Sequence, residues 1–319
     1  MSGTDVLTDA DVRAAAGRIA GMVRPVTVAP TGPDGVGTAG EVVLALEYLQ
    51  LTGSFKARGA ANFLLAHRDA GTLPAAGVTI ASGGNAGLAC AWAAREVGTS
   101  ATVFVPTTAP AVKVDRLRTL GADVRLVGRE YAEALVACHG FATDSGALAS
   151  HAYDHPLIAA GAGTLVPEIA DQVDGLDTVV VSVGGGGLFS GVAAAAAARG
   201  IRVVAVEPRG SSALHAALAA GGPVDVAVDS VAGDSLGARR ASAMAVDLAR
   251  AGDVVPVLVD DADIVATRRM LWETRRIAVE HGAATALAGL LTAGGYRPRD
   301  DERVAVVLCG ANTDPATLR

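Results

Sequence analysis

A repeated rhythm of short β-branched runs and alanine-rich stretches of helical length constrains this chain more than any other feature. The runs fall at 41–46, 77–81, 101–105, 122–127, 178–183, 201–206, 254–259 and 303–308. Helical stretches lie between them, among them 85–97, 110–120, 188–199 and 238–251. Strands alternating with helices of that length predict βαβ units and mainly parallel sheets covered on both faces, an α/β fold. The runs are nearly continuous in apolar residues, as strands buried on both faces should be. The alanine tract at 193–198 reads as a closely packed helix rather than a linker. Ligands of such sheets collect beyond the carboxyl ends of the strands, so the loops there carry the functional signal.

Three glycine-bearing segments occupy that place. The first, Gly184-Gly185-Gly186-Gly187, separates a strand from an alanine helix. Residues without a Cβ let amide N–H groups converge, and the helix N-terminus adds partial positive charge, a combination suited to phosphate. The nucleotide P-loop pattern GxxxxGK[ST] is absent. The dinucleotide fingerprint is nearly present, since Gly185-x-Gly187-x-x-Ser190 departs only at its last position and Glu207 follows about 20 residues on. A nicotinamide-dependent oxidoreductase using 184–191 as its dinucleotide loop is therefore an alternative. The second segment, Ser82-Gly83-Gly84-Asn85-Ala86-Gly87, offers either a helix cap or a set of donors for a carboxylate. The third, Gly53-Ser54-Phe55-Lys56-Ala57-Arg58-Gly59-Ala60, places a lysine at the start of a helix. There the dipole and burial lower an amine's pKa and favour its use as a nucleophile, against the default of a solvated lysine.

Composition removes several function classes. The chain has 319 residues, enough for about two domains with their own cores. Its net charge of −7 and 3% aromatic content argue against a nucleic-acid partner. No apolar stretch approaches the roughly 20 residues of a membrane helix, and the polar, acidic start does not read as a signal peptide. Cys90, Cys138 and Cys309 lack disulfide or metal-ligand spacing, so no metal is expected and the compartment is read as reducing, the cytoplasm. The 39 glycines lie well above the roughly 7% of average composition.

Taken together, the three segments and Cys309-Gly310-Ala311-Asn312 resemble the fold-type II pyridoxal-phosphate enzymes, specifically the serine/threonine dehydratase (ammonia-lyase) family. The resemblance runs from about residue 30 to the end. It implies a two-domain, tryptophan-synthase-beta-like fold: a large cofactor-binding domain of residues 1–50 and 156–319, and a small inserted domain of 51–155. It also implies that the small domain closes over substrate. The cofactor would be pyridoxal 5'-phosphate, held by Lys56 as a Schiff base, with Phe55 packed on its ring. Gly184, Gly185, Gly186 and Gly187 would bind its phosphate, Asn85 its 3-hydroxyl, and Cys309 would face its ring nitrogen. Ser82, Gly83, Asn85 and Ala86 would hold the substrate carboxylate. Lys56 and Ser82 are the catalytic candidates, and the implied reaction is β-elimination from L-serine or L-threonine to a 2-oxo acid and ammonia. Expected partners are a small amino-acid substrate and a second copy of the chain in a homodimer.

Departures from the family pattern carry information too. Relatives that racemise serine have a serine where Gly83 stands, so racemisation is disfavoured. Glu207 lacks the aspartate six residues on, where Ala213 stands, which leaves a monovalent cation held by carbonyls as the remaining option. Glu207 also reads simply as a solvated strand-end carboxylate. Ala45 and Leu51 replace a lysine and a proline of the pattern. His281 replaces another proline, in the stretch after Glu280, a residue expected near the cofactor. Residues 234–237 match a cofactor-lining stretch only loosely and are left unassigned. A catalytically silent amino-acid sensor on the same fold is the last alternative.

Overall fold

The computed structural model describes residues 7–32 and 35–318; the first residues of the polar start lie outside that range. Among the described residues there are ten strands, most of them separated by helices: β1 (Val28–Pro30), β2 (Glu41–Ala45), β3 (Val78–Ala81), β4 (Ala101–Val105), β5 (Asp123–Leu126), β6 (Leu148–Ala149), β7 (Thr178–Ser182), β8 (Arg202–Pro208), β9 (Val254–Val259) and β10 (Arg303–Val307). They form a six-stranded sheet in the order β1-β2-β10-β7-β8-β9 and a four-stranded sheet in the order β5-β4-β3-β6. All pairings are parallel except β1 with β2. The fold is α/β with helices flanking both sheets.

Burial follows position in the sheet. β3, β4 and β7 are buried throughout. At the edge, β5 carries Asp123 and Arg125 and is largely exposed, so the expectation of doubly buried strands does not extend to it. The helix expected over 238–251 begins only at Ala243: Ser242 accepts a hydrogen bond from the Ala245 amide and caps it, and its own amide donates to Gly185. β1 and β6 were not expected. They are three and two residues long, too short to show a period.

Every strand of the smaller sheet lies between residues 78 and 149, and those of the larger sheet lie on either side. We propose the division into lobes at 51 and 155 on this ground. The helices Asp9–Ile19 and Pro156–Gly163 contribute side chains to both cores, Ile19 and Ile158 to the smaller, Val12 and Ala160 to the larger.

What brings the lobes together is a contact between small residues. The helix Lys56–Asp69 packs on Pro156–Gly163, and a Cβ on Gly59 would lie 2.6 Å from the Ile158 carbonyl oxygen. On the other side of that central helix, a Cβ on Gly191 would lie 2.0 Å from the Ala159 carbonyl oxygen. The lysine-bearing helix and the helix Gly187–Ala197 are thus held on either side of one short helix. Arg58 anchors the first of them. It is fully buried, and its guanidinium donates to both oxygens of Glu47 (2.7 and 3.0 Å), both oxygens of Glu168 (2.7 and 2.8 Å) and Thr164 Oγ1 (2.9 Å). Removing one partner of such a buried pair costs about 3–5 kcal/mol, because the other charge is stranded.

Candidate functional site

The carboxyl ends of β3, β7 and β10 open into one cavity of about 600 Å³. Phe55, Lys56, Ser82, Gly83, Asn85, Ala86, the four glycines 184–187 and Cys309 all line it. The structure therefore brings together every site residue named from the sequence. Glu280 is there too, as are residues 233–240, which include the stretch left unassigned.

Lys56 is placed by pairing rather than by its helix alone. The segment before it runs against the end of β10: Ser54 forms an isolated antiparallel bridge with Gly310, Phe55 N donates to Cys309 O (2.9 Å) and Ala311 N donates to Gly53 O (2.9 Å). That seam sets the lysine beside the thiol. Lys56 Nζ donates to Ala152 O (2.8 Å) and lies 4.6 Å from the centre of the Phe55 ring. Burial lowers its pKa to about 8, against the opposing pull of Cys309 and Glu280. The Cys309 thiol is pushed up to about 12 by the same desolvation and stays neutral; its Sγ lies 3.6 Å from Ser182 Oγ. Desolvation also raises the Glu280 carboxyl to about 7, although the Asn85 amide donates to it.

The loop after β7 is made of backbone. Among the described residues, none of the amides of Gly184, Gly185, Gly186 and Gly187 has a protein acceptor. Gly186 has φ +101°, and a Cβ on Gly185 would fall 2.4 Å from the Tyr153 ring. These free amides at the start of a buried helix form an anion cradle, and a phosphate group fits their chemistry. An amine-reactive aldehyde fits Lys56 on the same cavity. In the loop after β3, the Gly84 amide lies 3.4 Å from Ser82 Oγ, and the helix Asn85–Val97 starts with its first amides free of helical partners.

Some readings of individual residues change. Glu207 is 1% exposed, not solvated; its oxygens accept from the amides of Leu214 (2.7 Å) and His215 (2.8 Å) at the start of the helix Ala213–Ala220. Burial pushes its carboxyl up to about 7 against the pull of those two amides, and it does not line the cavity, which removes the support for a dinucleotide. Ala45 is fully buried between β1 and β10, Leu51 packs on the smaller core, and neither reaches the cavity. His281 lies outside the lining as well, its Nε2 3.4 Å from Arg268 Nη1.

Four features escaped the sequence reading. The Tyr153 ring packs on the glycine loop and its hydroxyl donates to Arg240 O (3.2 Å); the Ala152 carbonyl holds the lysine; Arg239 and Arg240, the latter paired with Asp225 (2.7 Å), also line the cavity. Asn312 donates to the Asn85 side chain. The sequence names Asn312 only as the last residue of the motif at Cys309, with no role, and nothing local marks residues 152 and 153.

The description "Pyridoxal-phosphate dependent enzyme" matches residues 23–310. Phenylserine dehydratase of Ralstonia pickettii is 37% identical over 285 residues, 88% of this chain and 85% of that protein. A serine dehydratase-like protein of Mus musculus is 34% identical over 284 residues, 85% of each. Among solved structures, maize serine racemase superposes with a TM-score of 0.91 at 30% identity, covering 98% of this chain and 96% of that one. No helix among the described residues is long and apolar enough to cross a membrane.

Proposed function

Because the chain belongs to the pyridoxal-phosphate dependent enzyme family, we propose that it eliminates water from a β-hydroxy amino acid, L-serine or L-threonine in the first instance. The water lost in elimination is regained in hydrolysis, so the net products are a 2-oxo acid and ammonia. One observation carries the reading: the Lys56 amine, the unpartnered amides of 184–187 and the Cys309 thiol share one cavity.

Bound pyridoxal phosphate supplies an electron sink for the substrate Cα. With its pKa near 8, Lys56 Nζ is partly unprotonated around neutrality, able to join an aldehyde and, once the substrate amine has displaced it, to take the Cα proton. Phe55 offers its ring face for stacking, and glycines 184–187 hold phosphate oxygens through their N–H groups. Cys309 faces the ring nitrogen as a neutral group and so adds no charge there. Asn85 donates to the ring oxygen, while Ser82 with the amides of Gly83, Asn85 and Ala86 orients the substrate carboxylate. Gly83 has no side chain that could return a proton, which favours elimination over the racemisation named for maize serine racemase. Any monovalent cation would rest mainly on carbonyls.

The test is to incubate the purified protein and pyridoxal phosphate with L-serine, L-threonine and L-phenylserine, the last suggested by the Ralstonia relative. A visible cofactor band and release of 2-oxo acid with ammonia are expected, both lost in Lys56→Ala. A colourless protein sinks the reading; cofactor and ligand binding without 2-oxo acid leaves the sensor; D-serine as the main product leaves the racemase.

A further inference from the structure

Asn85 does not stand alone in the cavity wall. Its side chain is the third member of a line of hydrogen bonds that begins on the helix Ala111–Thr119. Arg116 Nη2 donates to Asn312 Oδ1 (2.6 Å); Asn312 Nδ2 donates to Asn85 Oδ1 (2.7 Å) and to Thr52 O (2.8 Å); Asn85 Nδ2 donates to Glu280 Oε1 (2.8 Å).

A primary amide has a donor end and an acceptor end of nearly the same shape, so only its partners decide which way it points. Here the partners are unambiguous. A guanidinium only donates, which forces the Asn312 oxygen toward Arg116. A main-chain carbonyl only accepts, and Thr52 O fixes the Asn312 nitrogen from the other side. The Asn312 nitrogen then meets Asn85, whose oxygen must face it. Reversing either amide would set donor against donor or acceptor against acceptor. Asn85 is left presenting its NH2 group to Glu280, with a second N–H available to the cavity that it lines.

Two observations show that the line is built in. Gly53 makes room for it: a Cβ there would lie 2.7 Å from Asn312 Oδ1. Arg116, for its part, has no carboxylate partner among the described residues, whereas Arg118 on the same helix pairs with Asp115.

We infer that Arg116 and Asn312 are positioning residues that hold the Asn85 amide with its donor end toward the cavity. The inference rests on the proposed function, in which Asn85 donates to the cofactor's ring oxygen. Arg116 belongs to the smaller lobe and Asn312 follows β10 of the larger sheet, so the orientation is set only when the two lobes are in register.

The test uses the holoenzyme. Asn312→Asp keeps an acceptor for Arg116 and removes the donor to Asn85, so contact with the helix survives while the amide is freed. Donation favours the deprotonated ring oxygen, so its loss should raise the pH midpoint of the visible band, by about half to one pH unit. The charged or titratable groups lining the cavity are Lys56, Glu280, Cys309, Asp234, Arg239, Arg240, Tyr131 and Tyr153, all unchanged in the variant, and the shift is read against wild type in one buffer. The turnover number should fall about tenfold with KM little changed. Arg116→Leu should act in the same direction more weakly, and Arg116→Lys, which can still donate, should restore most of the effect. Adding Asn312→Asp to Asn85→Ala should do nothing further, because the effect travels through Asn85. An unshifted midpoint in Asn312→Asp, or full additivity with Asn85→Ala, overturns the inference while leaving the dehydratase reading intact. A wild-type protein without a cofactor band overturns both.

Discussion

In the loop after β7 neighbours impose the glycines, whereas in the loop after β3 the working groups are side chains. A Cβ on Gly184 would lie 3.0 Å from Leu236 Cα, on Gly185 2.4 Å from the Tyr153 ring, and on Gly187 2.9 Å from Tyr153 Cα. A Cβ on Gly84, in the second loop, would meet nothing within 4 Å. Both loops line the same cavity and both open a helix, yet one offers only backbone N–H groups and the other adds a hydroxyl and a side-chain amide to them. A dianion can be held by many convergent amides, with Tyr153 packed behind them to keep the cradle rigid. Groups that must be selective about donor and acceptor, like Asn85, need a network to orient them.

The contrast can be broken most sharply at Gly185. In Gly185→Ala, overpacking against Tyr153 of about 1–3 kcal/mol should weaken cofactor affinity by about 5- to 150-fold, read by absorbance titration of the apoprotein. Unchanged affinity would mean that the glycines are not sterically required. Asn85→Ala should behave differently, with cofactor still bound but turnover down about tenfold, since one hydrogen bond to the reacting system is lost and Glu280 loses its donor. If it abolished cofactor binding instead, the division of labour between the loops would be wrong.

Lys56 lies on the same cavity as both loops and supplies the pH dependence. Only the unprotonated amine can take up an aldehyde, so the rate of cofactor capture should climb with pH and level off above about 8. Glu280 raises the lysine's pKa, so Glu280→Gln should move that midpoint to lower pH. Stopped-flow absorbance of cofactor uptake reads both, and a midpoint that stayed put in the variant would show that the carboxyl does not act on the amine. The smallest effect belongs to Gly84→Ala: with open space around the new methyl, affinity and turnover should stay within about twofold.

Much of this was legible in the chain. The helix Asn85–Val97 and strands β4 and β9 fall where the pattern of residues put them, because each is long enough to show its period and is flanked by glycine or a cap. The candidate site was legible for a related reason: its loops are short, contiguous and placed just after strands. What stayed hidden depends on distance along the chain. Asn312 and Asn85 are 227 positions apart, Lys56 and the Ala152 carbonyl 96 apart, and no local signal joins them. Glu207 looked like a solvated residue at a strand end because the strand could be read, but the turn of chain that brings two helical amides onto it could not. The reverse holds at 238–242, where alanine content suggests helix but the Ser242 cap starts the helix only at Ala243.

The sequence by itself determined the class of fold, the place of the site at strand ends and the identity of the amine, glycine and thiol groups there. The fold class and the place of the glycine loops follow from periodicity and backbone freedom, both properties of neighbours in the chain, whereas the amine and the thiol were marked by the resemblance of their segments to the pyridoxal-phosphate enzymes. Only the tertiary structure decided how those groups act. Burial brings the lysine near 8, Tyr153 packs against the glycine loop, and the line from Arg116 through Asn312 meets the Asn85 amide at its oxygen. Burial and hydrogen-bond polarity arise from atoms far apart in the chain, and they take their values only once the lobes have met.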